Sequence, residues 1–190
     1  MDSLHSFTQI LPQKESQEYQ NLLIDFENTV SNFARNESET IFPNGGADFS
    51  AIVLGKIFEN AKYSINIKAN IFSGEVSSKT PYLEGLKKAI KNLIYFNIVV
   101  SSKETLNTST SKGLKLLKDH CSKGFGDIYY LQNSNNTPNS KKSFCTADGK
   151  MFRYEIDSDH KAYCSFNSKD VAKSLDELFN TLKANSSHFQ

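Results

Sequence analysis

The stretch KKSFCTADGKMFRYEIDSDHKAYCSFN, residues 141–167, gathers cations, carboxylates, an imidazole and two thiols. Two kinds of chemistry use such residues: a histidine or thiolate beside a base can act as a nucleophile, and carboxylates with an imidazole can ligate a metal. The run Asp157-Ser158-Asp159-His160 has the donors for a metal. Four consecutive turn residues seldom converge on one ion, however, and no second ligand cluster stands out, so a solvated hairpin tip is expected and no metal or other cofactor. His120-Cys121 has no recognisable partner and reads as a helix-terminal imidazole beside a buried thiol. Cys145 and Cys164 fall on neighbouring strands, as small core residues. PNGGAD, ahead of a helix, lacks both G-x-G-x-x-G and a preceding strand, which argues against a phosphate-binding loop.

The elements that must position this stretch follow from periodicity. Residues 14–39 read as a helix in which Tyr19, Leu23, Phe26, Val30 and Phe33 form a heptad-like seam. Two heptads are too few for a freestanding coiled coil, so the seam packs either on its own domain or on another copy of the chain. Asp48 is the expected N-cap of the helix FSAIVLGKIFENAK. YSINIKANI alternates apolar and polar residues at period two, as a strand with one face in the core does. A helix over 80–93, the apolar strand IYFNIVVS, a short helix GLKLLKDHC and the strand DIYYL follow. This alternation implies crossover units and a largely parallel sheet. After the Asn/Ser-rich loop QNSNNTPNSKK come three strands in quick succession, the first two joined at Asp148-Gly149, a strong hairpin signal. A helix over 168–184 closes the pattern, with Val171, Leu175, Leu178, Phe179 and Leu182 on its apolar face. The expected organisation is an N-terminal helical extension over 1–40, an α/β domain over 41–184 and a C-terminal tail over 185–190.

Composition agrees with one α/β domain plus an appended element: 190 residues, 38% of them hydrophobic and 12% aromatic. Lys and Arg number 22 against 21 Asp and Glu, a formal charge of +1, so nothing draws the whole chain to nucleic acid or to an anionic membrane. A local patch from Lys87, Lys88, Lys91, Lys112, Lys115, Lys118, Lys123, Lys141 and Lys142 is the only basis for nucleic-acid binding. The opening residues lack the marks of a signal peptide, and no apolar run reaches membrane-spanning length. Three cysteines with no C-x-x-C pairing argue against a disulfide framework or zinc ribbon. The expectation is a cytoplasmic protein with reduced thiols.

From Phe49 to Leu182 the chain resembles one half of the phospholipase D superfamily, in the segment IFENAKYSINIKANIFSG and in the stretch quoted first. The family pattern is H-x-K-x4-D-x6-G-S-x-N. With Asp148 in the aspartate slot, Ser143 stands in the lysine slot and Lys141 in the histidine slot. Cys164-Ser165-Phe166-Asn167 resembles G-S-x-N, but fifteen residues separate Asp148 from Cys164. The hairpin is therefore expected to be extended. In the family the histidine takes the phosphoryl group and the lysine supplies positive charge. A lysine with an ordinary pKa near 10.4 is a poor nucleophile at neutral pH, and serine brings no charge.

The resemblance thus implies a mixed, largely parallel α/β sheet flanked by helices and a degenerate site without catalysis, at Lys141, Ser143, Asp148, Ser165 and Asn167. Asp148 is expected to fix its turn with Gly149, and Asn167 to cap the last helix. Active members of the family use two copies of the motif and this chain has one at most. The resemblance therefore implies a homodimer, with Tyr19, Leu23, Phe26, Val30 and Phe33 as a candidate dimer seam, serving assembly or recognition. Single-copy domains of this fold also occur in bacterial restriction and phage-defence assemblies, which by analogy suggests a subunit of such a complex. The alternatives are a divergent phosphodiesterase or nuclease, and a nucleic-acid-binding domain without cleavage.

Overall fold

The computed structural model describes residues 7–70, 72, 74–132, 142–156 and 160–189. The chain runs α1 (Phe7–Arg35), β1 (Phe42–Asn44), α2 (Ala47–Asn60), β2 (Ser64–Ala69), α3 (Gly74–Ser77), α4 (Thr80–Lys91), β3 (Tyr95–Val100) and α5 (Lys103–Thr108). It continues α6 (Lys112–Ser122), β4 (Gly126–Leu131), β5 (Phe144–Ala147), β6 (Met151–Glu155), β7 (Ala162–Ser165), α7 (Lys169–Ala184) and β8 (Ser186–His188). The strands form one eight-stranded sheet in the order β1-β7-β6-β5-β2-β3-β4-β8.

The mixed α/β sheet flanked by helices is what the sequence pattern requires. Its parallel character is narrower than expected. Among the described residues only β2-β3 and β3-β4 pair in parallel, where helices supply the crossovers. The other five pairings described are antiparallel: β5, β6 and β7 follow one another with few residues between them, β5 lies against β2, and β1 and β8 add themselves at the edges. The residues expected as a C-terminal tail supply β8, and Phe189 then donates its N–H to the Ile128 carbonyl.

Strand β2 was expected to bury one face, and it buries both. Ile65 and Ile67 join the larger core with α2, α4 and α6. On the opposite face lies α7, over a smaller core that includes Phe144, Phe152, Leu175 and Phe179. Polar groups of β2 are met there by polar groups: Asn66 donates to Asp176 at 2.8 Å and accepts from Asn97 at 3.1 Å, and Asn97 accepts from Lys183 at 2.9 Å. Helices α2 and α4 meet backbone to backbone. A Cβ on Gly85 would collide with the Gly55 carbonyl, and one on Gly55 with the Pro81 carbonyl.

The apolar stripe of α1 packs within its own chain, on α2 and β1, the first of the two arrangements that its spacing leaves open. Val30 is fully buried, Phe26 meets the Phe49 ring edge-on at 4.9 Å, and Phe33 meets Phe42 at 5.1 Å. Tyr19 remains partly exposed and donates its hydroxyl to Asp48 at 2.8 Å. Asp48 is also bridged by Lys79 at 2.7 Å, and that hydrogen-bonded cation holds its carboxyl below the usual carboxylate range. Asp48 is therefore not the N-cap of α2. Gly46 takes that place at φ 78°, a conformation open to glycine.

The β5–β6 hairpin turns through Asp148 and Gly149 at φ 53° and 64°. Two consecutive positive φ values make the tight turn that brings the Lys150 N–H to the Ala147 carbonyl at 3.1 Å, and aspartate-glycine supplies them. The Asp148 carboxylate also accepts three backbone N–H groups from the α2–β2 connection, those of Lys62 at 2.7 Å, Tyr63 at 2.9 Å and Ser64 at 3.1 Å.

Two outcomes follow from this packing. Val30→Ala should lower stability by roughly 1–3 kcal/mol in denaturant unfolding, as for a lost core methyl pair, with no change of mass in light scattering. A changed mass at unchanged stability would place the stripe between copies instead. Asp148→Ala should cost roughly 2–4 kcal/mol, since charge-assisted bonds are lost and alanine resists positive φ. Asp148→Asn, which keeps an acceptor and tolerates the turn, should cost clearly less; equal losses in thermal melts would count against the carboxylate as the anchor.

Candidate functional site

At the end of the sheet opposite the Asp148 turn lies a cavity of about 90 Å³. Leu54 and Phe58 of α2, Val76 and Ser77 of α3, and Tyr82 of α4 form one wall. Ser143, Cys145, Arg153, Glu155 and His160, from the three C-terminal strands and their connections, form the other.

Arg153 is the centre of the polar group. It sits inside β6 with 4% of its surface exposed, and a buried guanidinium must find partners. Its Nη2 donates to Ser50 Oγ at 2.7 Å and to the His160 carbonyl at 2.9 Å. Nη1 lies 3.7 Å from Glu155 Oε2. Nε has no hydrogen-bond partner. Glu155 stands two residues on and so on the same face of the strand. Its Oε1 lies 2.7 Å from His160 Nδ1. His160 takes φ 57°, which turns its carbonyl to Arg153 and its ring to Glu155, and its Nε2 lies 3.7 Å from the exposed Glu75.

Across the sheet from this group, on the face that α7 covers, the end of β2 carries Lys68, which is 1% exposed. Its Nζ donates to the Ala69 carbonyl at 3.2 Å and to Ser101 Oγ at 3.0 Å. Burial pulls its pKa down to about 8. Ser101 donates to Asn70 Oδ1 at 2.8 Å, and the Asn70 N–H donates to Ser143 Oγ at 3.1 Å.

The structure disperses the residues read from the motif. Lys141 lies outside the described residues. Ser143 lines the cavity, whereas Asp148 sits at the far end of β5. Ser165 pairs with Phe152, towards the Asp148 turn, and the Ser168 N–H donates to the Lys150 carbonyl there. Ser165 and Asn167 are therefore at the opposite end of the sheet from Ser143. The fifteen-residue gap contains a complete strand, β6, and not a lengthened hairpin. After six intervening residues from Asp148 comes Glu155, whose N–H donates to the Ser143 carbonyl at 2.9 Å. Asn167 does not cap α7 either: Ser168 holds the N-cap position with no side-chain hydrogen bond, and the Asn167 N–H donates to Ser165 Oγ.

Residues 157–159 lie outside the described residues, but His160, expected at a solvated tip, folds back into the cavity wall. Sequence reasoning missed Lys68, Arg153 and Glu155, and set His160 aside as a hairpin tip. A usable signal was Arg153-x-Glu155, two opposite charges at strand spacing inside a run otherwise rich in apolar residues. His120 and the three cysteines serve the structure. His120 is buried, with Nε2 at 2.9 Å from the Ile94 carbonyl and its ring stacked on Phe125. Burial pushes the Cys121 and Cys164 thiols up to about 12 and raises Cys145 further, so all three are poor nucleophiles. No group of three or more His, Cys, Asp or Glu suited to a metal occurs among the described residues. Of the nine lysines considered for nucleic acid, Lys88, Lys118, Lys123 and Lys142 bind Glu59, the Leu106 carbonyl, Asp119 and the Ile156 carbonyl. Lys87, Lys91, Lys112 and Lys115 are exposed on α4 and α6. No helix is long and apolar enough to cross a membrane among the described residues.

No protein-family model and no curated protein matches the chain. Solved structures do. TrmBL2, an archaeal chromatin protein described as showing a novel mode of DNA binding, superposes with a TM-score of 0.59 at 14% identity, over 99% of this chain and 70% of its own. Such coverage takes in α1 as well as the sheet. Nuc of Salmonella typhimurium, a phospholipase D family member, gives 0.55 at 12% identity, over 80% of this chain and 99% of its own. Phosphatidylserine synthase of Haemophilus influenzae Rd KW20 gives 0.52 at 11%, over 79% of this chain and 39% of its own. With its helix-flanked mixed sheet and a terminal hairpin pinned by aspartate, this chain has the fold of the phospholipase D superfamily.

Proposed function

We propose that the chain is a non-catalytic recognition and assembly module on the phospholipase D fold. The observation that carries this is the divided fate of strand β5. At one end Asp148 still holds the α2–β2 connection, while at the other the lysine slot is Ser143, whose hydroxyl already accepts a backbone N–H. By the same count the histidine slot is Lys141. The imidazole nearest the cavity, His160, has Nδ1 committed to Glu155, and the cation on the same wall, Arg153, spends its Nη2 on Ser50 and the His160 carbonyl, so neither group is left for the phosphoryl-transfer role. Assembly is supported by the exposed apolar side chains of Ile41 and Tyr163 at the β1–β7 edge. Because the α1 stripe is used internally, pairing with a second copy or another protein would go through surfaces such as this edge.

Metal-free incubation with bis(p-nitrophenyl) phosphate or DNA should give no turnover. Hydrolysis that disappears in His160→Ala or Lys68→Met would overturn the reading. Lys68 supplies a second test, since its amine is a cation buried beneath α7. Its folded pKa lies below the unfolded value, so the unfolded state binds the extra proton between the two. Stability from this residue should therefore rise with pH, from about pH 8 to pH 10.4, by roughly 3 kcal/mol. The measurement is the difference between wild type and Lys68→Met in denaturant unfolding across that window, which cancels the tyrosine and cysteine titrations. A flat difference would mean that Lys68 is hydrated in solution.

A further inference from the structure

We infer that the cavity binds a small uncharged molecule, a ketone or an alcohol on a short apolar body, whose oxygen accepts the hydroxyl proton of Tyr82. This deepens the recognition reading above and rests on it. Tyr82 is 3% exposed, lines the cavity from α4, and makes no side-chain hydrogen bond among the described residues. The enclosed side-chain nitrogen or oxygen that lacks a partner among those residues is Arg153 Nε alone. The Tyr82 oxygen is therefore not sealed in, and the open space against this residue is the cavity. Its ring is held in place: Phe58 meets it edge-on at 5.0 Å, and a Cβ on Gly113 would stand 2.6 Å from its Cε1. Burial raises the phenol above its ordinary pKa, so the group stays neutral and keeps a proton to donate. A buried hydroxyl without an acceptor is costly, and a ligand oxygen placed against it removes that cost.

Charge and size narrow the class. The charged side chains on this face of the sheet are matched to one another. Glu155 is met by His160 Nδ1 at 2.7 Å and by Arg153 Nη1 at 3.7 Å, Arg153 Nη2 serves Ser50 and the His160 carbonyl, and the exposed Glu75 lies 3.7 Å from His160 Nε2. A charged ligand would lose its water here without gaining an unmatched counter-charge. Leu54, Phe58, Ile67, Phe72 and Val76 present apolar surface to the rest of the ligand. Water alone suits such walls poorly, since an ordered water needs about two to four polar partners. A dry cavity of about 150 Å³ holds benzene, so about 90 Å³ suits roughly four or five heavy atoms. One oxygen and three or four carbons match a single hydroxyl on an apolar wall.

The test is ligand-observed NMR titration of the full chain at pH 7 with 2-butanone and 2-butanol, beside the charged analogues butyrate and butylammonium at matched ionic strength. Saturable binding of the ketone or the alcohol is expected, at least about tenfold tighter than either ion. Tyr82→Phe keeps the ring and removes only the donor, and should weaken binding roughly three- to tenfold. Ala69→Leu extends a wall residue into the cavity and should abolish binding; Tyr82→Phe decides the matter if that variant does not fold. No saturable binding up to about 20 mM, equal binding of the charged analogues, or binding unchanged by Tyr82→Phe would overturn the inference. Phosphodiester turnover would instead sink the recognition reading, so the two failures are distinguishable.

Discussion

A guanidinium placed inside a sheet cannot be left alone, and most of the site's architecture follows from Arg153. Stripping water from a charge costs several kcal/mol unless hydrogen bonds replace it. The protein draws those bonds from three separate pieces of chain. Ser50 comes from α2, the His160 carbonyl from the β6–β7 connection, and Glu155 from the same strand. Ser50 in turn donates to the Gly46 carbonyl at 2.7 Å and accepts from Asn44 at 3.1 Å, so edge strand β1 and the start of α2 are tied to the same centre. The left-handed backbone at His160, unusual outside glycine, is the conformation that delivers its carbonyl there.

Strand β5 is tied down at both of its ends. Its four residues lie between Ser143 and Asp148, and each of those two side chains serves the backbone of another connection. Asp148 collects three amides across its turn, from Lys62, Tyr63 and Ser64. Ser143 accepts the Asn70 N–H just beyond β2. Local hydrogen-bond satisfaction thus fixes the hairpin against β2 at each end.

The elements legible in the sequence were those with a strong period: α2, α4, α6 and α7, the central strands, and the aspartate-glycine hairpin. What stayed hidden was hidden for physical reasons. Strands β1 and β8 have three residues each and no alternation to read; they exist because an existing sheet edge offers unpaired donors and acceptors. The α1 stripe was visible, but whether it meets its own domain or another copy depends on Phe49 and Phe42, which sequence spacing does not connect to it. The resemblance of Cys164–Asn167 to G-S-x-N was a coincidence of residue type, since that segment runs the wrong way along the sheet to reach Ser143. Lys68 was missed because it reads as the solvated side of an alternating strand until α7 is known to cover it.

The crossing of Gly55 and Gly85 has a mechanical consequence. Where two helices touch through side chains, one can slide or roll as rotamers readjust; here the Gly55 carbonyl occupies the place of a missing Cβ, and backbone has no rotamers to give. Leu54 and Phe58 on one helix and Tyr82 on the other are thereby welded into a single stiff plate. Any swelling or shrinking of the space beneath it must be absorbed on the opposite side, by the four-residue α3 or by the arginine-bound connection at His160. In this molecule compliance is confined to the short, polar pieces, and the long helices act as its anvil.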